Sequence, residues 1–168
     1  MDKLIGFIER LSLRQGEIFS FLLVVATLQI CYELTLRYAF NAPTLWGQEM
    51  TIYLCAVAYV MAGAYAHKLD AHIKVDLLYL RWSPRTRARV DICVAHLFFF
   101  FFCGVLVWQS GLWAWKSIVR GLTSGSAWDP PIWPLRVLLF LGSLTLLLQG
   151  LAKFLCDLRN AFGDGRVG

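Results

Sequence analysis

Histidine and acidic side chains come closest together between positions 67 and 76 of this 168-residue chain. His67 and His72 lie there beside Asp70 and Asp76, and imidazole and carboxylate groups can together bind a metal ion. Their spacing matches no zinc-binding pattern, however, and no nucleophile can be paired with a base and a positioning partner. We therefore expect neither a metal site nor a catalytic site.

A haem site would use the same histidines in another way. Bis-histidine ligation needs two imidazoles at one depth on facing helices. Only His96 lies within an apolar segment, and His67 or His72 could oppose it only near one membrane surface. The sequence favours a protein without a cofactor, and a haem-binding four-helix membrane anchor stays open as an alternative that a Soret band would identify.

Glu33 is the acid that a small proton-coupled transporter would need within its membrane spans. It precedes Arg37 by one helical turn, and this spacing favours an ion pair between them. The sequence shows no inverted repeat and no helix broken midway across the membrane, which are features of transporters. A stand-alone small four-helix transporter is therefore the second open alternative.

The composition predicts that these residues lie in a membrane protein. The chain is 58% hydrophobic and only 16% charged, whereas soluble domains carry about a quarter charged residues. A helix needs about 20 residues to cross the hydrocarbon core of a bilayer, and residues 18–36, 46–66, 91–115 and 135–155 are long and apolar enough. We expect one all-α integral membrane domain over residues 1–168, with four transmembrane helices.

The basic residues predict the orientation of these helices. Twelve of the 16 Lys and Arg residues lie in the N-terminal segment, between the second and third spans, or towards the C-terminus. The positive-inside rule then places both termini in the cytoplasm. The net charge of +5 indicates contact with anionic lipid and no binding of nucleic acid. The opposite side keeps four basic residues: Arg37, Lys116, Arg120 and Arg136.

Shorter patterns predict how the domain packs. Residues 1–15 and 74–82 are predicted to be amphipathic segments at the membrane interface, although 1–15 could equally be an extension of the first helix. In the second span, small residues at four-residue spacing form a stripe on which another helix can pack closely. The stripe consists of Ala58, Ala62 and Ala66.

The stretch between the first two spans is polar although it joins two apolar segments. Its sequence, "RYAFNAPTLWGQE", resembles the signature at the first hairpin of DctQ-type small membrane subunits of TRAP transporters, the tripartite ATP-independent periplasmic transporters. The resemblance continues through "HIKVD" at 72–76, "SAWDPPIWP" at 126–134 and "LLLQG" at 146–150. Two departures are Gln48, where many members carry a second acid before Glu49, and Phe140, where many carry a proline.

The resemblance implies a function in transport and no enzymatic activity. Such small subunits of the bacterial inner membrane pair with a larger membrane subunit that binds substrate and sodium, and a periplasmic binding protein delivers an organic acid. The small subunit looks like a scaffold for the large one. Arg37 and Glu49 would meet at the outer end of the first hairpin, or else be ordinary interfacial charges without a partner role. Carried over onto this sequence, the interface or structural residues are Arg37, Tyr38, Trp46, Glu49, His72, Asp76, Trp128, Pro130, Pro131, Trp133, Pro134 and Gln149.

Overall fold

The computed structural model describes residues 2–68 and 96–162, and these form four α-helices. In chain order they are α1 (Asp2–Ala39), α2 (Gly47–Lys68), α3 (His96–Arg120) and α4 (Trp133–Phe162). Each helix is long and apolar enough to cross a membrane, and the described residues contain no β-strand beyond one isolated bridge. The expected all-α protein with four membrane-spanning helices is confirmed for the described residues.

The helices extend beyond the apolar runs from which they were predicted. α1 continues without a break from Asp2 to Ala39, so residues 2–15 belong to the same helix as the first span. Its 38 residues make it about 57 Å long, longer than the hydrocarbon core, so it must tilt or project into the aqueous phase. The predicted interfacial segment 74–82 lies outside the described residues, as do His72, Asp76 and residues 91–95 of the predicted third span.

The end of α1 is set by a change of backbone conformation. Asn41 has a φ of +54°, in the left-handed region that asparagine tolerates better than most residues. The backbone nitrogen of Ala42 then donates to the carbonyl of Leu36 at 3.0 Å, which satisfies one of the last carbonyls of the helix. Pro43 cannot continue a helix, so the chain turns here towards α2.

Packing places α2 and α4 at the centre and α1 and α3 at the flanks. α1 packs against α2, α2 against α4, and α4 against α3, with a smaller contact between α1 and α4. α2 and α4 approach closely at Gly142, where a Cβ atom would lie 2.7 Å from Val60 Cγ1. Since α3 packs mainly against α4, most of its surface faces outwards.

The small-residue stripe of α2 lies only partly in the core. Ala58 is 1% exposed, whereas Ala62 and Ala66 are half-buried. The other buried apolar side chains of this helix are Val57, Met61 and Ala64. The surface that α2 buries is therefore rotated from the predicted stripe and includes two larger side chains, Val57 and Met61.

Hydrogen bonds across the helices hold the apolar bundle in register. The buried Gln149 of α4 accepts a bond of 2.9 Å from Ser12 of α1, and Gln15 donates to Thr145 at 3.1 Å. Bonds of this kind in membranes contribute about 0.6 kcal/mol on average. They also show that the first turns of α1 pack against α4, and they place Gln149 in the helix-packing interior.

Candidate functional site: the polar cluster at the hairpin end

The α1–α2 turn and the α3–α4 loop lie at the same end of the bundle, which we call the hairpin end. Glu33 is the buried acid of this end, with 7% of its surface exposed. Its Oε1 accepts a hydrogen bond of 3.0 Å from Arg37 Nη2, one turn further along α1. This ion pair confirms the expectation drawn from the four-residue spacing. The charge of Glu33 is thus balanced within its own helix.

The second oxygen of Glu33 fastens α1 to the start of α2. Glu33 Oε2 accepts hydrogen bonds from the hydroxyl and the backbone nitrogen of Thr44. The same hydroxyl accepts a bond of 3.1 Å from the backbone nitrogen of Gly47, one of the N–H groups at the start of α2 that have no partner within the helix. A Cβ atom at Gly47 would lie 2.5 Å from Glu33 Oε2, so a larger residue here would have to displace the carboxylate.

Glu49 has a different set of partners. Its Oε1 accepts a bond of 2.6 Å from the Tyr53 hydroxyl, and its Oε2 accepts one of 2.5 Å from Ser126 in the α3–α4 loop. The expected pairing of Arg37 with Glu49 is therefore wrong, because each forms its contacts elsewhere. Glu49 connects α2 to the α3–α4 loop, 77 residues away in the chain.

The α3–α4 loop is shaped to present Ser126. Its Oγ accepts hydrogen bonds from the backbone nitrogens of Trp128 and Asp129 at 3.2 and 3.0 Å while donating to Glu49. Asp129 has a φ of +50°, and its Oδ1 accepts a bond of 2.8 Å from the backbone nitrogen of Gly125. The tip of the loop is thereby fixed against the start of α2.

The two ends of the loop are also joined to each other. α3 ends at Arg120, and Gly121 follows with a φ of +56°. The backbone nitrogen of Leu122 then donates to the carbonyl of Ser117 at 3.1 Å in a Schellman pattern. An isolated antiparallel bridge then pairs Thr123 with Pro131. Residues 121–132 of this loop form no helix.

Aromatic contacts also join α1 and the α3–α4 loop through Trp46. Trp46 lies between Tyr32 of α1 and Trp128 of the loop, with ring centroids 6.4 Å apart in both pairs. These separations are within the range of favourable aromatic contacts. Trp46 thus contacts both the helix and the loop that Glu33 and Glu49 hold by polar bonds.

A third polar contact, made by Arg136, joins α4 to α3. Arg136 Nη1 donates to Ser117 Oγ at 2.7 Å, and its guanidinium carbon lies 5.8 Å from the ring centroid of Trp113. Ser117 is fully buried. At the hairpin end, Glu33 thus joins α1 to α2, Glu49 joins α2 to the α3–α4 loop, and Arg136 joins α4 to α3.

The remaining predicted residues fall into two groups. Tyr38, 81% exposed, and Trp133, 46% exposed, lie at the surface of the hairpin end. The prolines act through the backbone: the carbonyl of Pro130 accepts a bond from Ser124, and Pro134 stands in the first turn of α4. None of these residues binds another side chain in a way that suggests catalysis.

Sequence reasoning did not single out Thr44, Gly47, Tyr53, Ser126 or Ser117. The threonine had a local signal, because Thr44 stands three residues before Gly47 at the start of a predicted helix. Ser126 and Ser117 had no local signal in the sequence, because their contacts depend on how the helices are arranged. In the part of the chain that the structure describes, no three His, Cys, Asp or Glu side chains form a group suited to a metal ion.

The arrangement is therefore one in which charged groups connect helices, and both carboxylates have their oxygens occupied by neighbouring donors. Comparison with protein families matches residues 26–160 to the DctQ component of tripartite ATP-independent periplasmic transporters. Comparison with curated proteins finds no match. The matched range includes the complete hairpin end and extends over most of the chain. The chain thus belongs to the DctQ family, the small membrane component of the TRAP transporters, and is a transporter component and not an enzyme.

Proposed function

We propose that this chain is the scaffolding small permease subunit of a TRAP transporter in the bacterial inner membrane. In this proposal it braces a large membrane subunit, which uses a sodium gradient to import an organic acid delivered by a periplasmic binding protein. Membership of the DctQ family supports the transporter and its three components. The scaffolding role is supported by the hairpin end itself.

The observation that carries the proposal is the way in which Glu33 is held. A proton-coupled carrier needs an acid that can exchange its partners during transport. Glu33 instead accepts from Arg37 with one oxygen and from Thr44 with the other, and it closes the α1–α2 turn. This is the arrangement of a structural acid, and it favours the scaffold over the stand-alone transporter.

The haem-binding alternative gains no support from the described histidine side chain. The ring of His67 is stacked flat on Phe99, with centroids 4.4 Å apart and an interplanar angle of 10°. The contact with Phe99 provides no second imidazole on a facing helix, which bis-histidine ligation requires. We therefore keep the scaffold as the single proposed function.

We expect co-purification with the large subunit to test this role. A tagged form of this chain, expressed with the large permease subunit from the same genome, should retain that subunit through detergent extraction and affinity purification. An unrelated four-helix membrane protein with the same tag serves as the control. Failure to retain the large subunit above that control, with both proteins present in the membrane, would argue against the scaffold.

The proposal includes an orientation with both termini in the cytoplasm and the hairpin end towards the periplasm, because most Lys and Arg residues lie on the other side. Alkaline phosphatase fused within residues 121–132 should therefore be active, since it folds only after export. The same reporter fused after residue 160, or between residues 69 and 90, should be inactive. An active fusion between 69 and 90 would contradict this orientation.

A further inference from the structure

The outward surface of α3 is divided into two stripes of different chemistry. The face that packs on α4 includes the buried Cys103, Ala114 and Ser117. At the helical spacing of three and four residues, the rest of α3 forms an apolar stripe and, beside it, a polar stripe. The apolar stripe contains Phe101, Trp108, Leu112, Trp115 and Val119. The other is called the polar stripe because it carries Gln109, Lys116 and Arg120, and it also contains Phe98, Phe102 and Trp113. All of these residues are exposed, as are Leu97, Val105, Leu106 and Ile118 elsewhere on the helix.

Gln109 is the unusual residue of the polar stripe. It precedes Lys116 by seven residues, so its position is about 10 Å deeper along α3 than that of Lys116. Its amide is exposed and has no hydrogen-bond partner among residues 2–68 and 96–162. Hydrocarbon offers an amide no hydrogen bonds, and glutamine is shorter than the lysine and arginine side chains that extend to the membrane surface.

Lys116 and Arg120 alone do not show whether lipid or another protein contacts the polar stripe. Both lie in the last turns of α3, where basic side chains suit the helix terminus and lipid headgroups equally well. Gln109 differs because neither a helix end nor a headgroup is within its reach. A protein surface can supply the missing hydrogen bond, whereas the neighbouring apolar stripe requires none.

We propose that the polar stripe of α3 is the surface on which the large membrane subunit packs, and that the apolar stripe faces lipid. This rests on the proposed function. The partner surface presents a hydrogen-bonding side chain or backbone group opposite Gln109, and acidic side chains near Lys116 and Arg120. α3 lies at the flank of the bundle, so it can bind such a partner without displacing α1, α2 or α4.

Photo-crosslinking in the membrane tests this assignment with matched pairs of positions. The photoreactive residue p-benzoylphenylalanine is placed at Gln109 or at Trp108, and in a second pair at Phe102 or at Phe101, with the large subunit co-expressed. Each pair differs by one residue in depth but lies on different stripes. Irradiation should give several-fold more adduct with the large subunit from 109 and 102 than from 108 and 101.

Co-purification separates failure of this assignment from failure of the proposed function. If the large subunit is retained but the adduct forms equally from both stripes, or mainly from 108 and 101, the assignment is overturned and the scaffold stands. An adduct between two copies of this chain from position 109 would overturn it in favour of self-association. Loss of co-purification in the unsubstituted protein would instead overturn the scaffold and this inference together.

A substitution gives a second readout. Gln109→Leu introduces an apolar side chain of similar size, and it removes one hydrogen bond across the interface. We expect retention of the large subunit to fall roughly threefold, since about 0.6 kcal/mol corresponds to that factor. Trp108→Phe, on the apolar stripe at nearly the same depth, should leave retention unchanged. Equal retention by Gln109→Leu and the unsubstituted chain would contradict the hydrogen bond at Gln109.

Discussion

Glu33→Ala is expected to separate the first two helices at the hairpin end and to lower the melting temperature of the detergent-solubilised protein by roughly 5 °C. The substitution removes the acceptor of both Arg37 and Thr44 at once. The Thr44 hydroxyl, which caps α2 at Gly47, then loses the carboxylate that holds it. We expect weaker retention of the large subunit as well, because the α1–α2 turn is no longer fixed.

Glu17→Ala is the matched control for this experiment. Glu17 is an exposed acid on the same helix, and its side chain forms no ion pair in the described part of the chain. Removing it should change the melting temperature by about a degree or less. Glu33→Gln should lie between the two, because an amide oxygen can still accept from Thr44 but carries no charge for Arg37. Equal melting temperatures for Glu33→Ala and Glu17→Ala would show that the hairpin end is held by other contacts.

The local features of the hairpin end could be predicted from the sequence. The Glu33–Arg37 pair follows from a spacing of one helical turn, which brings the two side chains together in any α-helix. The four spans follow from the lengths of the apolar runs, since each run is long and apolar enough to cross a bilayer. Such features need no knowledge of how the helices are arranged.

Contacts that depend on the arrangement of the helices could not be predicted. The resemblance to the DctQ-type subunits implied that Arg37 and Glu49 meet at the outer end of the first hairpin. The left-handed turn at Asn41 and the cap at Thr44 instead place Glu49 on a side of α2 where it contacts Ser126. Ser126 lies 77 residues further along the chain, and no local pattern indicates which helix its loop will contact.

The bounds of α1 illustrate a further limit. The amphipathic pattern of residues 1–15 predicted an interfacial segment or, equally, an extension of the first helix, and Ser12 and Gln15 are polar residues within it. In the structure they lie in the bundle, because Gln149 and Thr145 of α4 supply the hydrogen bonds that lipid would not. Hydropathy alone ends a span at polar residues, whereas a polar partner on a neighbouring helix allows them to remain buried.

The polar contacts of the hairpin end favour a subunit that keeps one conformation. Glu33, Glu49 and Arg136 each join two elements, so that every helix is fixed to a neighbour at this end. A carrier that alternates between two conformations must break contacts between its moving parts, whereas a scaffold keeps them. Under the proposed scaffold role, the moving parts of the transporter belong to the large subunit.

Reconstitution into proteoliposomes tests the scaffold most directly, and its expected effect is close to all-or-none. Uptake of a radiolabelled organic acid, identified by its binding to the periplasmic protein, is measured under an inward sodium gradient. Vesicles with this chain, the large subunit and the binding protein should accumulate the acid. Vesicles with this chain and the binding protein alone should match protein-free vesicles. Accumulation by vesicles that lack the large subunit, driven by sodium or by protons, would contradict the scaffold and return Glu33 to consideration as a transport residue.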